Sequence, residues 1–251
     1  MSEQFLSAIR HVGRASAMSF DALRLAVRRP FGLDLLMAQL HHLGVKSLSI
    51  TNITALFTGM VLALQTAHTL GIYGAKLLIG DAVSISIVRE LGPVLTSLLV
   101  AGRVGAGITA EIGSMAVTEQ VDAIRALGAS PIKKLVVPKV LATLIMLPLL
   151  TILADFVGIF GGMLISVKDL NQTSQYYIQH VISALTFDDI FSGVGKTFFF
   201  AGFISIVGCY NGLNASGGAD GVGRATTSTV VVASILILIS NFFLTKLFML
   251  F

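Results

Sequence analysis

Small residues recur every four positions between residues 101 and 114, in two parallel series. One is Ala101, Gly105, Thr109 and Gly113; the other is Gly102, Ala106, Ala110 and Ser114. On a helix each series makes a continuous stripe along one face. Such stripes let backbones approach closely in lipid, where packing rather than hydrophobicity drives helix association. The same apolar region carries Arg89, Glu90, Arg103 and Glu111. A charge at the bilayer centre costs roughly 2.5–3.5 kcal/mol or more, so a helix bearing several of them needs protein or water on most of its sides. Residues 85–131 are therefore expected to form the middle of a bundle: a long buried helix, a turn and a short amphipathic helix. Gly102, Gly105, Ala106 and Gly113 are its expected packing contacts.

The rest of the chain supports a membrane setting. With 55% hydrophobic and 12% charged residues, it is too apolar for a soluble domain, which carries about 25% charged residues. Several runs reach the roughly 20 apolar residues that a spanning helix needs. Five spans are expected, over about 48–70, 85–115, 138–167, 190–213 and 226–251. The second would be about 46 Å long, against a hydrocarbon core of roughly 30 Å. Pro93 removes one of its backbone bonds and predicts a kink at Leu91–Gly92–Pro93. Pro148 bends the third span, Asp155 interrupts it, and Gly158 with Gly162 offers a further close-approach face. Between spans the reading expects a short loop through Gly80 and Asp81. It also expects a polar loop over 168–189 with interfacial Tyr176 and Tyr177, and a flexible glycine-rich connection over 214–227. No repeat or linker divides the chain further. The expected organisation is all-α and integral to the membrane, with an arm over 1–47 and a five-span domain over 48–251.

The arm places Phe5, Ile9, Val12, Phe20, Leu23 and Val27 on one side of a helix, and Arg10, Arg14, Arg24 and Arg28 on the other; Pro30 ends it. A basic amphipathic helix of this kind lies in the membrane interface; a solvated cytoplasmic arm is the alternative. The arm has no compact apolar region before a small-residue cleavage site and does not read as a cleaved signal. Lys and Arg set the orientation. Arg10, Arg14, Arg24, Arg28, Arg29, Lys46, Arg125, Lys133, Lys134, Lys139 and Arg224 fall on one side, and Lys76, Lys168 and Lys246 on the other. The N-terminus is thus expected in the cytoplasm and the C-terminus outside. These basic residues flank the spans, so the net charge of +4 does not indicate nucleic acid.

Over about 117–128 a separate helix is expected. Thr118 would cap it, Glu119 and Asp122 suit its positive first turn, Gly128 suits the position after its end, and Pro131 prevents continuation. Val117, Val121 and Ile124 form an apolar stripe opposite Glu119, Gln120 and Arg125. By pattern alone, docking into a partner's groove and resting on lipid are equally open.

Catalytic and metal motifs are weak. Gly195-Lys196-Thr197 lacks the strand and the Gly-x-x-x-x-Gly-Lys-[Ser/Thr] spacing of a phosphate loop. Lys196 reads instead as an intramembrane charge that needs Glu90 or a ligand as its counter-ion. The 214–227 segment lacks a dinucleotide fingerprint. His41 and His42 point to different faces, and a His68–Ser84 dyad has no nucleophile motif around it. Cys209 is alone, which excludes an internal disulfide or a thiolate cluster. No catalytic or metal-ligating residue is assigned.

Arg89-Glu90-Leu91-Gly92-Pro93-Val94, Ala101-Gly102-Arg103 and Thr109-Ala110-Glu111-Ile112-Gly113 resemble the MlaE/YrbE permease family. So do Thr118-Glu119-Gln120, Asp122-Ala123, Gly128, Pro131 and Gly223-Arg224-Ala225-Thr226-Thr227. The resemblance covers roughly 45–250; Ala126-Leu127-Gly128 departs from the Met that many relatives carry before this Gly. It implies the permease subunit of an ABC transporter in the bacterial inner membrane, moving phospholipids between the inner and outer membranes. The implied assembly is a homodimer with two cytoplasmic ATPases that bind the ATP and Mg, so that this chain needs no cofactor. A periplasmic ring of MCE-domain proteins and often a STAS-domain protein complete it. The 117–128 helix would then be the coupling helix, with Val117, Glu119, Asp122 and Arg125 at the ATPase. Arg89, Glu90 and Lys196 would line a lipid cavity towards the periplasm. The competing reading is an ion- or proton-coupled carrier using Glu90, Glu111 and Asp155.

Overall fold

The computed structural model describes residues 2–26 and 33–250, which form helices and turns without a strand among them. In order these are α1 (Ser2–Ala26), α2 (Leu33–Leu43), α3 (Leu48–Ile72), α4 (Ile79–Ser86), α5 (Gly92–Val100), α6 (Ala106–Val117) and α7 (Gln120–Ala126). There follow α8 (Val137–Lys168), α9 (Ser174–Ala184), α10 (Phe187–Leu213) and α11 (Gly218–Phe248). Wide π-turns join α4 to α5 (Ile87–Leu91) and α5 to α6 (Ala101–Gly105), and a third, Ile132–Val136, leads into α8. Among the described residues, five stretches are long and apolar enough to cross a membrane: Asp34–Ile72, Lys76–Val117, Ile132–Lys168, Phe187–Leu213 and Gly218–Phe248. The chain is an all-α, multi-pass membrane protein.

Several boundaries differ from the expected ones. Gly80 and Asp81 are helical, and Gly80 packs where a Cβ would meet His180 Cβ and the Tyr177 carbonyl, each at 3.1 Å. Much of the 168–189 loop is the helix α9, and Tyr177 is buried rather than interfacial. It joins Ala63, Ala67, Ile79, Val83, Ile87, Ile165 and Val181 in one apolar cluster. Burial pushes its phenol pKa up. The 214–227 segment is helical from Gly218 onwards. Pro93 stands in the first turn of α5, directly after a wide turn in which the Gly92 N–H bonds the Ile87 carbonyl.

The chain divides into two compact units. One holds residues 1–45, 100–146 and 200–237; the other holds 46–99, 147–199 and 238–251. In the first, Met18 and Ala22 are buried on α1, which packs on the turn Ile132–Val136, while Phe20 is exposed. The side chains of Phe5, Ile9, Val12 and Leu23, and all of Val27, Arg28 and Pro30, lie outside the described residues. Only one small-residue stripe packs within this unit. A Cβ on Gly105 would touch Ile204 and Thr229, and one on Gly113 would touch Ala215 and Val222. Gly102 meets nothing within 4 Å, and Ala106 is only half-buried, so neither makes the expected close contact inside the chain. Thr109 explains the choice of stripe: its hydroxyl donates to the Gly208 carbonyl (3.0 Å) and lies 2.8 Å from that of Thr229, which accepts from Asn211. Lys139, counted among the cytoplasmic-side basic residues, is buried in α8, with Nζ 2.6 Å from Glu111 Oε2 and 3.4 Å from Gln39 Oε1.

In the second unit, Gly59 on α3 faces the backbone of Gly158 on α8, so closely that any Cβ would strike the Gly158 carbonyl. Backbone cannot swing aside as a side chain can. Gly59→Val is therefore expected to cost about 3 kcal/mol, the upper end for overpacking, read as a fall in melting temperature and yield of the purified protein. Gly102→Ala, with open space around it, should melt like the wild type. Equal melting of all three proteins would refute this account of the α3–α8 contact.

Candidate functional site

The wide turn Ile87–Leu91 carries adjacent charges, and the second unit treats them differently. Arg89 Nε lies 3.1 Å from Asp189 Oδ1. Asp189 is itself fixed by a capping box at the start of α10: its Oδ2 accepts from the Thr186 N–H (2.9 Å) and hydroxyl (2.8 Å), and its own N–H faces Thr186 Oγ1 (3.4 Å). Two orphan donors at a helix start are met in this way. Glu90 accepts from Lys196 Nζ (2.6 Å) and Thr245 Oγ1 (2.9 Å) at one oxygen and from Asn241 Nδ2 (2.9 Å) at the other.

Lys196 is fully enclosed, at 0% exposure. Its three donors have three acceptors: Glu90 Oε1, Thr245 Oγ1 (2.7 Å) and the backbone carbonyl of Arg89 (3.0 Å). The last of these follows from Pro93. In an α-helix the Arg89 carbonyl would accept from the N–H four residues on, and proline has none. Lys196 Nζ supplies the missing donor. The side chains of Arg89 and Glu90 remain 38% and 37% exposed, so this pair, not Lys196, presents charge outward. The structure thus brings the three expected residues together but puts Lys196 behind the other two.

The other expected groups fall as follows. α6 ends at Val117, and the Thr118 hydroxyl donates to the Ser114 carbonyl (2.8 Å); it caps the preceding helix, not α7. Val117 thus belongs to α6. Glu119 occupies the cap position of α7 with φ 61°, a left-handed conformation that costs a residue with a Cβ roughly 1–2 kcal/mol. Val121 is buried, and Asp122 pairs with Arg125 at 2.7 Å on the exposed side. Gly128, at φ 74°, closes the helix as expected: its N–H bonds the Arg125 carbonyl, and that of Ala129 bonds the Ile124 carbonyl. Ser84 is buried, with its hydroxyl on the Asp81 carbonyl (3.1 Å), and His68 is exposed, so they form no dyad. Asp81 instead meets His180 Nδ1 at 2.9 Å.

Sequence reasoning missed Asp189, Asn241 and Thr245. Thr186-x-x-Asp189 before an apolar run was a legible cap signal. Asn241 and Thr245, four apart in an apolar run, share one helix face.

The family description Permease MlaE matches residues 36–247. A probable ABC transporter permease protein of Rickettsia felis is 46% identical over 237 residues, covering 94% of this chain and 92% of its own length. The intermembrane phospholipid transport system permease protein MlaE of Haemophilus influenzae is 38% identical over 251 residues, covering 98% and 95%. The chloroplastic protein TRIGALACTOSYLDIACYLGLYCEROL 1 of Arabidopsis thaliana is 37% identical over 212 residues, covering 84% and 61%.

Proposed function

The chain belongs to the MlaE permease family, and from that membership we propose that it is the permease subunit of an ABC transporter moving phospholipid between the inner and outer bacterial membranes. The observation that supports the lipid reading is a largely apolar groove of about 550 Å³ lined by Ile53, Phe57, Val61, Leu62 and Leu91 together with Thr54, Thr58 and Gln65; the half-exposed Arg89 and Glu90 directly precede Leu91 in the chain. A headgroup meets the charges and an acyl chain lies in the groove; Lys196 holds the turn from behind. The related Haemophilus protein carries phospholipid transport in its name.

The same reading gives the partners. Two cytoplasmic ATPases bind the ATP and Mg and dock at α7 through Glu119, Asp122 and Arg125; the chain itself hydrolyses nothing. A second copy covers the outward stripe of Gly102, Ala106 and Ser114. A periplasmic MCE-domain ring receives or delivers lipid, with a STAS-domain protein as a further subunit. The N-terminus is cytoplasmic and the C-terminus periplasmic. Of the three carboxylates of the ion-coupled alternative, Glu90 and Glu111 are each held by a lysine, which weakens it, and Asp155 alone is not.

Reconstitution decides between them. Vesicles holding this chain with its ATPase should move fluorescent phospholipid only with ATP, and equally well when ion gradients are collapsed. Gradient-driven flux by this chain without an ATPase would establish the carrier instead.

A further inference from the structure

Asp155 is the intramembrane carboxylate that the lipid-permease reading leaves without a role. It lies within α8 at 7% exposure, and its Oδ1 has no hydrogen-bond partner among the described residues. The carboxyl fills the space beside the backbone of Gly92 where a side chain would otherwise stand. An ion enclosed without a partner costs several kcal/mol even after relaxation; a neutral carboxyl costs much less.

Nothing placed around it supplies a compensating charge. From the wide turn, Arg89 is on Asp189 and Glu90 is on Lys196. On α10 the charged groups are Asp188, Asp189 and Lys196, and α5 has none. α3 has no titratable residue over 48–67, and α8 has no other over 140–167. Gly92, against which the carboxyl packs, and the adjacent Ala154 also border a small, partly open cavity whose other walls mix Thr51, Thr54, Thr58 and Thr96 with apolar side chains such as Ile87 and Leu95. Counted as the space that the centre of a water molecule can occupy, it is about 20 Å³, and about one such sphere, roughly 10–15 Å³, admits a water.

We propose that Asp155 binds a proton in this conformation and gives it up to water when the wide turn ending at Gly92 moves away from it, so that one step of the transport cycle is proton-linked. The carboxyl O–H breaks, the proton passes to water and a carboxylate remains. The sign follows: raising the pH favours the ionised form and depletes the packed conformation, and lowering it restores that conformation. Only the place of this step in a transport cycle rests on the function proposed above.

Infrared spectra of the full chain in lipid nanodiscs test the proton directly. At neutral pH the wild type should show the C=O stretch of a neutral carboxylic acid, shifted in D₂O and lost in Asp155→Asn. The band should fade as pH rises, with a fall in melting temperature that Asp155→Asn does not share. Absence of the band at neutral pH overturns the proposal, as do carboxylate bands that respond to sodium, which would assign the site to a metal cation. A band and melting temperature unchanged to alkaline pH overturn it too, because the acid would then be a static part of the fold. Failure of lipid transfer in vesicles would remove the proposed function but leave these spectra as they are.

Discussion

Lys196→Met should destabilise the protein by about 3 kcal/mol, at the low end for removing one partner of a buried ion pair because Glu90 is only partly enclosed. The variant strips a donor from Glu90, from Thr245 and from the Arg89 carbonyl. Two additions should each restore about 1 kcal/mol, the net worth of a typical hydrogen bond. Glu90→Gln removes the uncompensated charge, and Pro93→Ala returns the N–H that the Arg89 carbonyl lacks. Swapping the charges as Glu90→Lys with Lys196→Glu should not rescue the fold, because a carboxylate at 196 would oppose that carbonyl. Melting temperatures of the single, double and triple variants check this. If Pro93→Ala helps Lys196→Met no more than it helps the wild type, Lys196 does not substitute for the missing amide. Lipid transfer should stay low wherever Glu90 is changed, even where stability returns.

Reversing Glu119 and Asp122 to Lys together should abolish ATP-driven lipid transfer while leaving the permease folded. The fold is spared for local reasons. The exposed Asp122–Arg125 pair is worth about 0–1 kcal/mol, and Lys at 119 bears the same left-handed strain as Glu. The chain keeps Glu119 where glycine would be unstrained, so its carboxylate is expected to do something at the ATPase surface. Co-purification of the ATPase and the transfer assay provide the measurement. If assembly and transfer both survive the double reversal, α7 is only a rest on the membrane.

The amino-acid sequence by itself determined the class and the main landmarks. Apolar runs of bilayer length made five spans, four-residue spacing of small side chains marked α6 for close packing, and Gly128 marked the end of α7. These are local properties: length, periodicity and backbone conformation depend on residues close along the chain. Charges inside apolar runs likewise marked Arg89, Glu90 and Lys196, with Glu90 as a candidate counter-ion for Lys196; the family resemblance joined the three.

What each of them touches was decided in three dimensions. Whether Lys196 faced a lipid or the Arg89 carbonyl depended on α10 arriving 107 positions later in the chain. The same holds for Asp189 holding Arg89, and for Asn241 and Thr245 reaching Glu90 from α11. Which of two equally spaced stripes packs inside the chain turned on where α10 and α11 present Gly208 and Thr229 to Thr109. Tyr177 was misread for the same reason: a tyrosine in a polar segment looks interfacial until α9 folds over α4 and buries it. Intramembrane polar groups must find partners or stay neutral, and their partners come from distant helices, so only the tertiary structure separates the paired charges from Asp155.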